Sequence, residues 1–337
     1  MPLVLAIETS CDETAAALLR APGDLLASEV FSQAGIHAQY GGVVPEVASR
    51  NHLAAVPRVV QAVFDRSGIV PADVDVFAAT AGPGLPAALL VGVAHAKALA
   101  IGCGRPFLAV NHVEGHLLSP FFGRADVPPH VGLVVSGGHT LLVDVAGVGD
   151  YRVLGSTRDD AAGEAFDKVA KLLGLGYPGG IEIERLSREG DPHRYEFPRA
   201  MLHSGDFQFS FSGLKTAVRY LLERGETCVP DVCASFQDAV VDVLVEKAVA
   251  AAQTCGRKQL SLSGGVSANA RLRARMEEAA GRAGIAVIAA APELRTDNAA
   301  MIAHTAALRF TLGERSSWNA DIFPSIDPMT FGALQIA

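Results

Sequence analysis

Apolar and polar positions along this chain fall into two similar series. Leu3 to Ile7 is unbroken apolar, Glu8 to Glu13 is polar, and Thr14 to Leu19 is apolar again. Strand, polar turn and strand predict a hairpin. Val47 to Asp65 carries a continuous apolar face at helical spacing, and Val74 to Thr80 reads as a strand. The turn Ala81-Gly82-Pro83-Gly84-Leu85-Pro86 then leads into a helix from Ala87 to Ala100, and Pro106 to Val110 is a further short strand. The series recurs. His130 to Val145 is again strand, polar turn and strand, and Gln259 to Asn269 is a strand and glycine turn before a helix reaching about Arg282.

This internal duplication predicts an α/β fold of two similar lobes, with opposed glycine turns leaving a cleft that could hold a nucleotide. The first lobe is expected over 1–129 and the second over 130–337. A mostly helical insertion at about 158–257 interrupts the second. Within it, Asp159 to Leu173, Ile181 to Arg188, Leu214 to Glu223 and Val232 to Thr254 read as helices. Phe207 to Ser212 alternates aromatic and polar residues, which predicts a strand. Ile285 to Ala290 is a strand. Thr296 is expected to cap a last long helix with Asp297 in its first turn, and that helix to pack back toward the first lobe.

Composition narrows the class. The 337 residues suit two domains, and 50% apolar with 19% charged residues gives a chain that folds around a sizeable core. A formal net charge of -8 argues against a whole-surface attraction to nucleic acid or to an anionic membrane. Five cysteines without a C-x-x-C pair argue against a disulfide framework and fit a reducing compartment. The N-terminus enters a strand with no basic segment before it, unlike a signal peptide. The apolar run Val76 to Ile101 is cut by Gly82-Pro83-Gly84, Pro86, His95 and Lys97, so it reads as strand, turn and helix. These features together predict a cytoplasmic protein.

The chemistry begins at Asn111-His112-Val113-Glu114-Gly115-His116. Two histidines four apart share a helix face and can share a metal ion, although ten histidines in the chain leave two unrelated ones as the plain alternative. Glu114 is one place later than the glutamate of a H-E-x-x-H protease helix. Asp297 is either a favourable acid at a helix start or the carboxylate of a two-His-one-carboxylate site. Arg271, Arg273, Arg275 and Arg282 are a solvated helix face or a phosphate-contact patch.

Eight stretches in order carry a resemblance. They are Glu8 to Thr14, Gly41 to Glu46, Asn111 to His116, Val135 to Thr140, Asp159 to Lys168, Ser210 to Lys215, Ser263 to Asn269 and Thr296 to Met301. Over essentially its whole length the chain resembles the tRNA N6-adenosine threonylcarbamoyltransferase family (TsaD type, formerly O-sialoglycoprotein endopeptidase), in its bacterial or organellar branch. The resemblance implies an actin/sugar-kinase/Hsp70-like (ASKHA) fold. It implies transfer of threonylcarbamoyl from threonylcarbamoyl-AMP to N6 of the adenosine beside the anticodon, position 37, in tRNAs reading codons that begin with adenine, with release of AMP.

It further implies one divalent metal, Fe(2+) first and Zn(2+) second, on His112, His116 and Asp297. Substrate contacts are implied at Val135, Ser136, Gly137, Gly138, His139, Asp167, Gly180, Glu184 and Asn269. Asp12, in the first hairpin turn, is the expected base, with His139 the alternative. Implied partners are tRNA, a catalytically silent homologue of the same fold and a small P-loop ATPase. Two departures from the family pattern stand out: Ile181 and Glu184 where Pro and Asp are usual, and Arg295 where Cys is frequent. A zinc peptidase, a small-molecule kinase of the same fold and a non-enzymatic nucleotide-binding scaffold are the competing functions.

Overall fold

The computed structural model describes residues 1–225 and 227–325, so the last twelve residues of the expected second lobe lie outside the described residues. Contacts divide the described chain into two compact units. One holds Met1–Pro128, Gly147–Tyr151 and the residues from Thr296 onward; the other holds Pro129–Ala146 and Arg152–Arg295.

The first unit opens with β1 (Leu3–Glu8) and β2 (Glu13–Arg20), paired antiparallel with Glu8 opposite Ala15. The hairpin is extended by β3 (Asp24–Ser32), which the apolar pattern does not reveal. It is an edge strand, half exposed along its length, so its side chains need not be apolar. A short helix α1 (Ala34–Ala38) precedes α2 (Pro45–Ser67). Pro45 starts α2 where its missing N–H costs nothing, and Gly68 ends it at φ 66°. Next come β4 (Val76–Gly82), α3 (Pro86–Cys103), β5 (Phe107–Asn111) and α4 (His112–Leu118).

The sheet order is β3-β2-β1-β4-β5, with β1, β4 and β5 parallel. Strand periodicity then assigns the two faces. Leu3, Leu5 and Ile7 join one core with Val56, Val60 and Phe64 of α2 and Val93 and Ala96 of α3. Val4 and Ala6 join the other with Met301, Ile302 and Ala306 of α10 (Ala299–Thr311). Among the described residues α3 is the one helix long and apolar enough to cross a membrane; its Ala88, Leu89, Val93, Ala96 and Ala100 are buried. After α10 the chain runs back along the sheet. Ser316 bonds the backbone of Phe107 and Ala109, and Phe323 N–H donates to the Ala81 carbonyl at 2.7 Å.

The second unit contains β6 (His130–Val135), β7 (Thr140–Gly147) and β8 (Asp150–Ser156). Helices α5 (Ala162–Leu172), α6 (Gly179–Ser187), α7 (Ser212–Glu223) and α8 (Val229–Thr254) follow. Then come β9 (Gln259–Ser263), α9 (Ala270–Arg282) and β10 (Ala286–Ala289). Sheet order is β10-β9-β6-β7-β8. Read from β8, it reproduces the first sheet strand for strand, so the duplication read from the sequence is present in the topology.

Two expectations are corrected. Phe207 to Ser212 is no strand; it has a single isolated bridge, Thr157 to Phe209. The Asp159 carboxylate instead accepts from Ser210 Oγ, Phe211 N–H and Ser212 Oγ, while Phe209 and Phe211 stack 6.1 Å apart in the core. Alternation here reflects inward aromatics and outward hydroxyls without a ladder. Nor does Thr296 cap the last helix. Asn298 is the cap, its side-chain oxygen accepting from Met301 N–H at 2.8 Å, so Asp297 lies just outside the helix and not in its first turn.

Gly264 lies between β9 and α9 at φ 88°, and a Cβ there would meet the Val135 carbonyl oxygen at 2.3 Å. Gly284 has φ 66° with nothing within 4 Å. Gly284→Ala is expected to cost about 1–2 kcal/mol, the left-handed penalty alone. Gly264→Ala, which also displaces backbone, should cost about 3 kcal/mol or more. Parallel thermal melts check the ranking.

Candidate functional site

Asn111 fixes the start of α4. Its side-chain oxygen accepts from Val113 N–H at 2.8 Å and Glu114 N–H at 3.3 Å. Every residue of α4 is buried. The one-turn offset stacks His112 and His116 with ring centroids 4.8 Å apart and planes at 86°. Asp297 arrives from the segment before α10. Its Oδ1 stands 3.0 Å from His116 Nε2 and 3.5 Å from His112 Nε2. Ligand atoms of all three residues lie within 4.8 Å of one another. Two imidazoles and a carboxylate converging this closely suit a divalent transition metal. The surroundings fit as well, because a ligating imidazole usually gives its other nitrogen to a carboxylate. His112 Nδ1 is 3.0 Å from Glu8 Oε2. His116 Nδ1 is buried with no hydrogen-bond partner among the described residues.

Electrostatics around the three residues are strongly coupled. Burial opposes protonation of His112, but the carboxylates of Glu8 and Asp297 outweigh it and push the imidazole up to about 9. Burial would raise Glu8, and His112 holds it below the ordinary carboxylate range. In the adjacent turn, burial and the charges of Asp12 and Asp297 push Glu13 up to about 9, and Glu13 hydrogen-bonds Asp12. The Cys11 thiol is raised far above its usual value by burial and by Asp12, which makes it an inert thiol.

Glu114, between the two histidines, faces elsewhere. Its Oε1 accepts from Tyr151 OH at 2.7 Å and from Arg309 Nε at 2.8 Å. A carboxylate locked to a guanidinium in the interior cannot serve as the general base of a metallopeptidase, so the peptidase alternative loses its catalytic group. Sequence reasoning missed Arg309 and Tyr151, since neither lies in a recognisable motif. It also passed over Glu8, although a carboxylate closing an otherwise apolar strand was a visible signal.

The implied substrate residues all lie in the second unit. Ser136 N–H donates to the His139 carbonyl at 2.8 Å, and His139 N–H to Ser136 Oγ at 3.1 Å, closing a tight turn that leaves Gly137 and Gly138 exposed. Gly163 N–H, at the start of α5, donates to the Ser136 carbonyl. Asp167, on the same helix, accepts from Gly179 N–H at 2.7 Å, next to Gly180. Glu184 accepts from Ala270 N–H at 3.1 Å and from Arg188. Asn269 caps α9 through Leu272 N–H and donates to Gln237 at 2.7 Å. The longer Glu184 side chain is thus partly used in holding α9.

The arginines of α9 resolve toward structure. Arg271 and Arg275 pair with Asp238 and Asp242 of α8, Arg282 pairs with Glu278, and Arg273 donates to the carbonyls of Ser267 and Ala268. Arg295 Nε donates to the Ala290 carbonyl at 2.9 Å and closes its own loop.

Comparison with known proteins agrees with this picture. A family model described as TsaD, tRNA N6-adenosine threonylcarbamoyltransferase, matches residues 24–304. A protein of that name from Anaeromyxobacter sp. (strain Fw109-5) is 51% identical over 329 residues, covering 96% of this chain and 98% of the relative. One from Geobacter sp. (strain M21) is 50% identical, covering 96% and 95%. The solved HypF structure from T. kodakarensis shares the fold at TM-score 0.63 and 16% identity, over 93% of this chain and 48% of its own. Component A of (R)-2-hydroxyglutaryl-CoA dehydratase from Acidaminococcus fermentans does so at TM-score 0.56 and 14% identity, over 91% and 96%. The expected ASKHA-type fold is borne out.

Arg309→Met would strand the Glu114 carboxylate in the core. A loss of about 3–5 kcal/mol is expected, and adding Glu114→Gln should restore much of it. Denaturant titrations of the single and double variants test this.

Proposed function

This chain belongs to the TsaD family of tRNA N6-adenosine threonylcarbamoyltransferases, and we propose that it moves the threonylcarbamoyl group of threonylcarbamoyl-AMP onto N6 of adenosine 37 in tRNAs reading codons that begin with adenine, releasing AMP. The observation that supports this most is the meeting of His112 and His116 with Asp297, some 180 positions away, in a chain matched along nearly its whole length.

The acceptor amine is a weak nucleophile, because its lone pair is delocalised into the purine. The donor must therefore be an activated acyl group held close to it. A carbamoyl–phosphate mixed anhydride provides that activation, with AMP as the leaving group. Val135, Ser136, Gly137, Gly138 and His139 form the phosphate turn. Gly137 and Gly138 are exposed, and their backbone can approach an anion closely because glycine has no Cβ. Asn269 has a second amide N–H to offer the adenosine or ribose. Asp167, Gly180 and Glu184 complete the contacts, with a Glu184 oxygen accepting from a ribose hydroxyl. Asp12 takes the N6 proton, with Glu13 hydrogen-bonded beside it. His139 is better used as a donor within the turn.

His112, His116 and Asp297 would hold iron(II), a two-His-one-carboxylate set, and zinc is the second candidate. Such an ion supplies Lewis-acid polarisation of a carbonyl or phosphate oxygen. The partners in this reading are tRNA, a catalytically silent homologue of the same fold and a small P-loop ATPase, all in the cytoplasm. The net charge of -8 and the pairing of the α9 arginines support a need for help in holding tRNA.

Labelled threonylcarbamoyl should pass to unmodified tRNA when these partners are present. ATP-dependent phosphorylation of a small molecule without tRNA would replace this function with a kinase. Asp12→Asn is expected to abolish transfer while threonylcarbamoyl-AMP still binds; near-normal turnover removes Asp12 from the mechanism. Elemental analysis of purified protein should find about one iron or zinc per chain. His112→Ala/His116→Ala should lose it, and full metal content in that variant would sink the ligand assignment.

A further inference from the structure

Glu8 is fully buried, and its contact with His112 is one of several that fix it in place. Its position is over-determined. Oε1 accepts from Ser10 N–H at 2.5 Å, and Oε2 accepts from Thr80 Oγ at 2.6 Å. Oε2 also stands 3.0 Å from His112 Nδ1, and Ser10 Oγ is 3.2 Å from the same nitrogen. Two strands of the sheet and the first polar turn thus converge on one imidazole edge. A merely structural carboxylate at this depth would be costly, because an uncompensated buried charge destabilises a fold by several kcal/mol.

The geometry points to Glu8 as the positioning residue that fixes the tautomer and ring orientation of His112 and so prepares its Nε2 to bind the metal. This rests on the metal assignment proposed above. A carboxylate only accepts hydrogen bonds, so a proton must sit on His112 Nδ1. Nε2 is then the nitrogen left to offer a lone pair once a metal displaces any proton on it, and Nε2 is the atom 3.5 Å from Asp297 Oδ1. Thr80 and Ser10 N–H occupy other lone pairs of the carboxylate and keep it from turning away.

Glu8→Gln tests the idea because the substitution preserves shape and inverts the contacts at the Oε2 position. An amide nitrogen at the Oε1 position would oppose the Ser10 N–H, donor against donor. The amide therefore turns its nitrogen to the Oε2 position, where the Thr80 hydroxyl can accept. His112 Nδ1 must then accept too, which places its proton on Nε2, the ligating atom. Zinc affinity, measured by competition with a chromophoric chelator, is expected to fall about 10- to 100-fold. In zinc-loaded parent protein, 15N NMR should show His112 protonated at Nδ1 and zinc-bound at Nε2.

Zinc bound through His112 Nδ1, or a folded Glu8→Gln variant that binds zinc as tightly as the parent, overturns the role of Glu8 and leaves the metal assignment standing. Zinc that shifts neither His112 nor His116 removes the metal assignment and this inference with it. Should Glu8→Gln not fold, the parent NMR measurement decides alone.

Discussion

A carboxylate taken out of water must find a cation or a set of donors, and the first unit buries two of them against one short helix. Glu8 meets His112, and Glu114 meets Arg309. His112 and Glu114 both belong to α4, which has only seven residues and little stability of its own. The helix is held by these charges, by its Asn111 cap and by close packing at Gly115, where a Cβ would stand 2.7 Å from Ile302 of α10. Arg309 lies in the last turn of that same α10, and Asp297 just precedes its Asn298 cap. One helix thus carries the partner of Glu114 and follows directly on the residue that completes the histidine site.

Much of the fold was legible because burial writes itself into sequence as apolar runs. The strands β1, β4, β6 and β9 are buried on both faces and read clearly. The edge strand β3 and the partly exposed β8 did not, since a strand wetted on one side needs no apolar code. Phe207 to Ser212 misled for the opposite reason: its alternation is real, but only the Phe209 backbone bonds the end of β8, and Asp159 takes the hydrogen bonds of Ser210, Phe211 and Ser212. At the site, spacing alone revealed the histidine pair. Asp297 could be joined to it only as one of two options, and Glu114 gave no sign of its partner, because Arg309 is 195 residues away. Long-range charge pairing leaves no local pattern.

The α9 arginines show how misleading a basic cluster can be. Their spacing suggests an anion-binding stripe, yet Asp238 and Asp242 on α8 stand at matching intervals and meet them. Charge between α8 and α9 is compensated where it occurs. An anion in the second unit can still meet exposed backbone in the Ser136 turn.

The first unit is discontinuous, and this has a consequence for how the chain is made. One face of its sheet, with Val4, Ala6, Leu108 and Val110, is covered by α10. During synthesis that face is complete long before its cover exists, because residues 129–295 must be translated first. At ordinary elongation rates the wait is on the order of ten to thirty seconds. Throughout it this apolar face lacks the helix that covers it in the folded chain. The histidine pair waits with it, since Asp297 emerges only just ahead of the helix that seals the face. Site assembly and core closure are thus a single late event, and a truncated chain would lack both.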